Sequence, residues 1–309
     1  MCVVARGARR YAALMVPRRY STATLLVLTG ATLLACAPPA PERLLEPDAS
    51  ATAALGERGP YGALLQRRSL VPAAGGAVDA DVVIPVEGPS AGPFAVAVVL
   101  HGGAVPPERY RWLGAHLASR GVVVAAPTHP FDLPFFAIEN AAHALAGLQA
   151  AGATEGDGLE GLVGDAAFVC GHSLGGVVAA KAWRDEPAFA ALALFASYPD
   201  PADTFEGRAG RVLSLAGSAD AKTTLAEASE GVAAFDAAQL VVIDAMTHYQ
   251  WTDGATEGEL AGDAPPTVPD AGVRRVALTF VDALADEVAH GVPWPFDDVA
   301  SWPAGASAP

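Results

Sequence analysis

The sequence predicts an α/β fold: a mostly parallel, twisted sheet with helices on both faces. Three observations carry this. Short continuous apolar runs recur along the chain, as strands buried on both faces require. Segments with apolar residues at helical spacing alternate with them, the pattern of a parallel sheet with crossover helices. Between an apolar run, Ala166–Cys170, and a small-residue run, Gly176–Ala180, stands Gly171-His172-Ser173-Leu174-Gly175. That order reads strand, sharp turn, helix, with a serine on the turn.

The elements follow in order. Residues 80–86 (ADVVIPV) form an early strand of edge type, and residues 94–100 (FAVAVVL) a fully buried one. Residues 107–120 place Tyr110, Leu113 and Leu117 at helical spacing, with Pro107 at the start and Gly121 past the end. Val122–Ala126 is the next strand. A loop dense in proline and aromatics, Pro127–Phe136, leads to an alanine-rich helix over 139–151. After the Ser173 turn and its helix come strands over 188–196 and 211–216, a helix over 225–235 and a strand over 239–244. A polar loop over 252–270 precedes a last helix, 273–290, whose apolar face is Val276, Phe280, Val281 and Leu284.

The domain is expected over 61–290, with 291–309 as a tail. What precedes it reads differently. Residues 1–20 hold five arginines and no acid, and Ser21–Ala35 is an apolar stretch ending Leu33-Leu34-Ala35-Cys36. This is the layout of a secretory signal, 1–35, and its end resembles the lipobox at which a bacterial lipoprotein is cleaved and lipidated on cysteine, here Cys36. Leu34 stands where a small residue is usual, and an ordinary secretory signal is the alternative. Met15 is a second candidate start. Residues 36–60, rich in proline, alanine and acids, are expected as a tether. The expected location is the bacterial cell envelope, with the membrane reached through Cys36.

Composition bounds the partners. Apolar residues make up 52% and charged residues 17% of 309, and the formal charge is −15. Cleavage before Cys36 would leave 14 basic and 34 acidic residues, a charge of −20. With two lysines in the whole chain and no basic stripe, nucleic acid is excluded as a partner. Cys2 would be lost and Cys36 lipidated, so Cys170 has no cysteine to pair with. There is no HExxH, no paired CxxC and no GxGxxG after a strand; the reading takes no metal and no cofactor.

A serine on such a turn becomes an acyl-transfer nucleophile only with a base, an orienting acid and donors for the oxyanion. Each has a candidate just past a strand, in the order serine, acid, histidine. The base is His248, which follows the 239–244 strand and precedes the last helix. The acid is Asp220, after the 211–216 strand, favoured by strand position over Asp200. The oxyanion donors are the N–H groups of Leu174, after the serine, and Gly103, with Ala104 as the one-residue shift. His101 is expected to brace that loop, and His172 to line or underlie the site. Phe131, Tyr198 and Trp251, with Phe135 and Phe136, are candidate walls of an acyl or alcohol pocket, beside His101.

At these residues the chain resembles the α/β-hydrolase superfamily, and more narrowly its dienelactone-hydrolase-like esterases. The likeness rests on LHGGAVPPERYRWLGAHLASRGVVVAAPTHPFD, GHSLGGVVAAKA, RVLSLAGSAD and THYQW, within residues 99–251. It implies the α/β-hydrolase fold, a Ser173–His248–Asp220 triad and hydrolysis of a small-molecule ester. Thr247 and Trp251 stand where that family carries asparagine and phenylalanine, which bears on the pocket and leaves the base in place. Thioesterase, lipase and lactonase use the same triad, and a non-catalytic lipoprotein that binds through the scaffold is the reading from another class.

Overall fold

The computed structural model describes residues 39–52 and 54–309. The expected signal segment and Cys36 lie outside them. In chain order the elements are β1 (Glu42–Leu45), β2 (Gly62–Leu70), β3 (Val78–Val86), β4 (Phe94–Leu100), α1 (Arg111–Ser119), β5 (Val122–Pro127), α2 (Asn140–Gly152), β6 (Val163–His172), α3 (Leu174–Asp185), β7 (Phe189–Phe195), β8 (Arg211–Gly217), α4 (Leu225–Val232), β9 (Ala238–Ile243), α5 (Glu257–Leu260), α6 (Asp270–His290) and β10 (Ala306–Ser307). The strands form one sheet ordered β1-β2-β3-β5-β4-β6-β7-β8-β9-β10. Six neighbours, β5-β4-β6-β7-β8-β9, run parallel; β1, β2, β3 and β10 are antiparallel to their partners. The expected α/β fold with a mostly parallel sheet is the one observed.

Period-two alternation divides the core. Val96, Val98 and Leu100 of β4 pack with Val169 of β6 and with Leu145 and Val178 of α2 and α3. Ala97 and Val99 face the other way, with Phe168, Cys170, Leu113 of α1 and Phe280 of α6. Both faces are thus covered, which is why these strands read as unbroken apolar runs. Because every parallel strand points the same way, the loops after β4, β6, β8 and β9 meet at one edge.

Three expectations change. Residues 36–60 are not a tether throughout: β1 pairs with β2, Gly56 N–H donates to Asp282 at 2.7 Å, and Gly59 N–H to Ser119 Oγ at 2.9 Å. A Cβ on Gly56 would overlap Thr279 Oγ1, so glycine permits that approach. The tail is folded onto the domain. Trp294 and Phe296 are buried, Phe296 packs on Phe280 at 4.7 Å, and β10 closes against β9. The domain therefore extends beyond 61–290 at both ends. Finally, the 80–86 strand lies inside the sheet, between β2 and β5. Its buried Asp81 is tolerated because Arg111 donates to it at 2.8 and 2.9 Å.

Candidate active site

Ser173 stands between β6 and α3 with φ 52° and ψ −125°. A non-glycine residue held there costs on the order of 1–3 kcal/mol, so the surroundings must fix it. They do so from both sides. Ser173 N–H donates to Phe195 C=O at 3.0 Å, and Ser173 C=O accepts from Gly176 N–H at 2.9 Å and Ser197 Oγ at 2.6 Å. A Cβ on Gly171 would overlap Gly175 C=O, and one on Gly175 the carbonyls of Leu100 and His101. The helix can start this close to β4 only without those side chains. Its first N–H groups have no helical partner and lie at the positive end of α3.

Asp220 and His248, past β8 and β9, meet at this edge. His248 Nδ1–H donates to Asp220 Oδ2 at 2.9 Å, and both residues are buried. Asp220 Oδ1 accepts from the N–H groups of Lys222 at 2.8 Å and Thr223 at 2.7 Å, so the carboxylate is filled and its orientation fixed. With Nδ1 engaged, a neutral His248 ring keeps Nε2 as its basic atom. The ring packs against that of His172, the residue before Ser173, with centroids 4.6 Å apart. Asp200 is committed elsewhere. It accepts from Lys181 at 3.0 Å and from Ala202 N–H at 3.0 Å, and its side chain is 40% exposed. The Ala202 bond and then Lys181 lower its pKa.

The loop after β4 supplies Gly103. Gly102 C=O faces His101 Nδ1 at 3.0 Å and Val105 N–H at 3.2 Å. The same planar peptide carries Gly103 N–H, which points the opposite way and has no partner among the described residues. A Cβ on Gly103 would lie 3.0 Å from Leu174 Cδ2, so this loop and the start of α3 adjoin. Ala104 N–H is occupied by Asp132 C=O at 2.7 Å, which removes the one-residue shift. His101 is a brace. Its Nδ1–H points at Gly102 C=O, so its Nε2 accepts from His129 Nδ1–H at 2.9 Å. Burial lowers the pKa of His101; burial, then the neighbouring His101, brings His129 down to about 3. Both rings are neutral.

The pocket candidates separate. Trp251 is not a wall: it is 1% exposed and stacks on Phe195 at 4.4 Å, filling the core beneath α6. Its indole is too large to leave that gap between β7 and the helix. His101 is likewise buried under the loop it braces. Phe131, at φ 57°, is 84% exposed and forms a surface cluster with Phe136 and Phe135. Tyr198 is half-buried and borders a cavity with Pro199, Pro201, Glu227, Glu230 and Gly231.

Two residues here have no role in the sequence reading. Asp263 bridges the two loops, accepting from Ala221 N–H at 3.1 Å and Tyr249 N–H at 3.2 Å. Tyr110, read as an apolar helix position, carries a buried hydroxyl bonded to Gly102 N–H at 2.9 Å. Among the described residues no group of three or more His, Cys, Asp or Glu could hold a metal ion.

A parallel sheet with a strained serine at its carboxyl edge, beside a buried histidine–aspartate pair, places the chain among the hydrolases of α/β architecture. The model of the alpha/beta hydrolase family matches residues 97–273, and the chain belongs to that family. No curated protein matches the chain.

Proposed function

We propose that the protein is a serine hydrolase of carboxylic esters, allied to the dienelactone-hydrolase-like esterases. Ser173 Oγ attacks the ester carbonyl while His248 Nε2 takes its proton. Asp220 holds the His248 tautomer and stabilises the imidazolium. The N–H groups of Leu174 and Gly103 receive the oxyanion. The imidazolium returns its proton to the departing alcohol, and water then opens the acyl-enzyme with His248 again as base. The observation that carries this reading is the 2.9 Å His248–Asp220 bond, whose ring lies against the residue preceding the strained Ser173.

The test is turnover of short p-nitrophenyl esters by the protein and by Ser173→Ala, with a fluorophosphonate probe. Loss of turnover and of labelling in the variant supports the reading. Undiminished turnover sinks it.

The Leu33–Cys36 sequence supports a second proposal, that the enzyme is exported and carries lipid on Cys36, at the cell envelope. Palmitate labelling lost in Cys36→Ala is the expected result; labelling retained would refute it.

A further inference from the structure

A buried chain of hydrogen bonds joins the Gly103 loop to the backbone of His248. Gly102 N–H donates to Tyr110 Oη at 2.9 Å, Tyr110 Oη lies 2.8 Å from His172 Nδ1, and His172 Nε2 lies 3.1 Å from His248 C=O. The direction of each bond follows from the last. A carbonyl only accepts, so His172 Nε2 carries a proton. Burial, and then the neighbouring His248, hold His172 neutral, its pKa well below the ordinary histidine value. Nδ1 is therefore an acceptor, and Tyr110 O–H donates to it. Every donor in the chain points from the Gly102 end toward His248, the arrangement in which successive bonds reinforce one another.

The geometry also separates the two glycines of His101-Gly102-Gly103. A Cβ on Gly102 would lie 3.0 Å from His172 Nδ1 and 3.1 Å from Tyr110 Oη, inside the link itself. Gly103 is needed at the face toward Leu174, Gly102 at the face toward this link.

We propose that Tyr110 and His172 are positioning residues that lock the oxyanion loop and the base loop into one frame. The proposal rests on the serine-hydrolase reading above. Neither residue is assigned contact with substrate. What they fix is the distance between the Gly103 N–H and the His248 ring, two groups delivered by strands β4 and β9. Those strands are separated in the sheet by β6, β7 and β8.

The experiment is a double-mutant cycle on Tyr110→Phe and His172→Leu, with His172→Gln as the conservative variant and Ser173→Ala beside them. Tyr110→Phe is expected to lower kcat by roughly ten- to a hundredfold with KM little changed, the scale of a small misplacement of catalytic groups. The double variant is expected to lose no more than the worse single one, because either change opens the same link. His172→Gln, which keeps an N–H near His248 C=O, should retain more activity than His172→Leu. An independent readout is the ¹⁵N spectrum of the His172 ring: its Nδ1 signal should shift in Tyr110→Phe. Unchanged kcat, or losses that multiply, overturn the proposal. If His172→Leu does not fold, Tyr110→Phe alone decides, and an unmoved Nδ1 signal with full kcat refutes it. Full turnover in Ser173→Ala would instead remove the reading beneath, a distinct outcome.

Discussion

Among the described residues, two buried histidine–carboxylate pairs occur, His248–Asp220 at 2.9 Å and His116–Asp282 at 2.8 Å. By distance and burial they are near twins. Their surroundings differ in what each histidine has left to offer. His248 spends Nδ1 on its aspartate, and its ring lies beside the serine elbow. His116 spends Nε2, on α1, which packs on β2, β3 and β5 beside α6 on the same face of the sheet. Asp282 has further duties: it accepts Gly56 N–H at 2.7 Å and pairs with Arg120 at 3.3 Å. The first pair stands at the edge where four strand-end loops converge; the second staples the segment before β2 to α1 and α6. A histidine–aspartate bond is thus no mark of catalysis. The free ring nitrogen, and what it meets, decides.

The largest expected effect breaks the twins apart by activity. Asp220→Asn should lower kcat by about 10⁴-fold while leaving the fold intact, since the asparagine favours the wrong tautomer of His248. Turnover of p-nitrophenyl esters beside circular dichroism checks it. A loss under about tenfold would make this pair as structural as the other.

The converse change acts on stability. Asp282→Ala leaves His116 Nε2 and Gly56 N–H without their shared partner, while Arg120 keeps Asp286 at 3.1 Å, and a buried polar group left unsatisfied costs about 1–3 kcal/mol. Urea unfolding should show that loss, with kcat per folded molecule unchanged. A fall in kcat without a fall in stability would place this pair in the chemistry.

Acid should also find the two regions unequal. His172 packs against His248, and His101 and His129 pair beneath the Gly103 loop; burial lowers the pKa of each from 6.5, His129 to about 3. Unfolded, each titrates near 6.5; folded, each stays neutral to lower pH. The unfolded chain therefore binds more protons below pH 6.5, so stability is full above that value and is lost as pH falls from it. Proton uptake on unfolding, from the slope of stability against pH, should be positive below pH 6.5, with His129 contributing close to one at about pH 5 and His101 and His172 adding to it, beyond whatever the carboxylates add. Uptake near zero there would mean the rings are charged in the folded state. Loosening should begin at the His248 edge, visible as hydrogen exchange at Gly102 before Gly56.

How much of this could be read beforehand follows from the range of each signal. Ser173, Asp220, His248 and Gly103 are each the punctuation after an apolar strand, a local pattern. The frame around them is not local. Tyr110 looks like any apolar position on a helix, because the sequence does not show that its hydroxyl meets Gly102 and His172. Asp263 sits in a polar loop whose composition hides the two amides it collects. Trp251 and Phe131 read alike as walls, yet Trp251 fills the core and Phe131 lies exposed, since aromatic character marks a wall, a core filler and a surface patch alike. β1 spans four residues among prolines and charges and β10 two among small residues and prolines, both too short to show a period. Short edges, charged as at β1, are how sheets discourage further pairing.

The smallest expected effect concerns the rival acid. Asp200 and Asp220 each follow a strand of the parallel sheet and are separated by a single strand, β8, so chain order alone left both standing. The structure separates them by partner. Asp220 is closed around His248 and two backbone amides, whereas Asp200 answers Lys181 and a turn amide at the surface. Lys181 would keep Asp203, at 2.7 Å, if Asp200 lost its charge. Exposed pairs of this kind contribute little, and one with a second carboxylate in reserve contributes less. Asp200→Asn should therefore turn over ester within about twofold of the parent, where Asp220→Asn loses nearly everything. A large loss in Asp200→Asn with little in Asp220→Asn would reverse the assignment and pass the orienting role to the loop after β7.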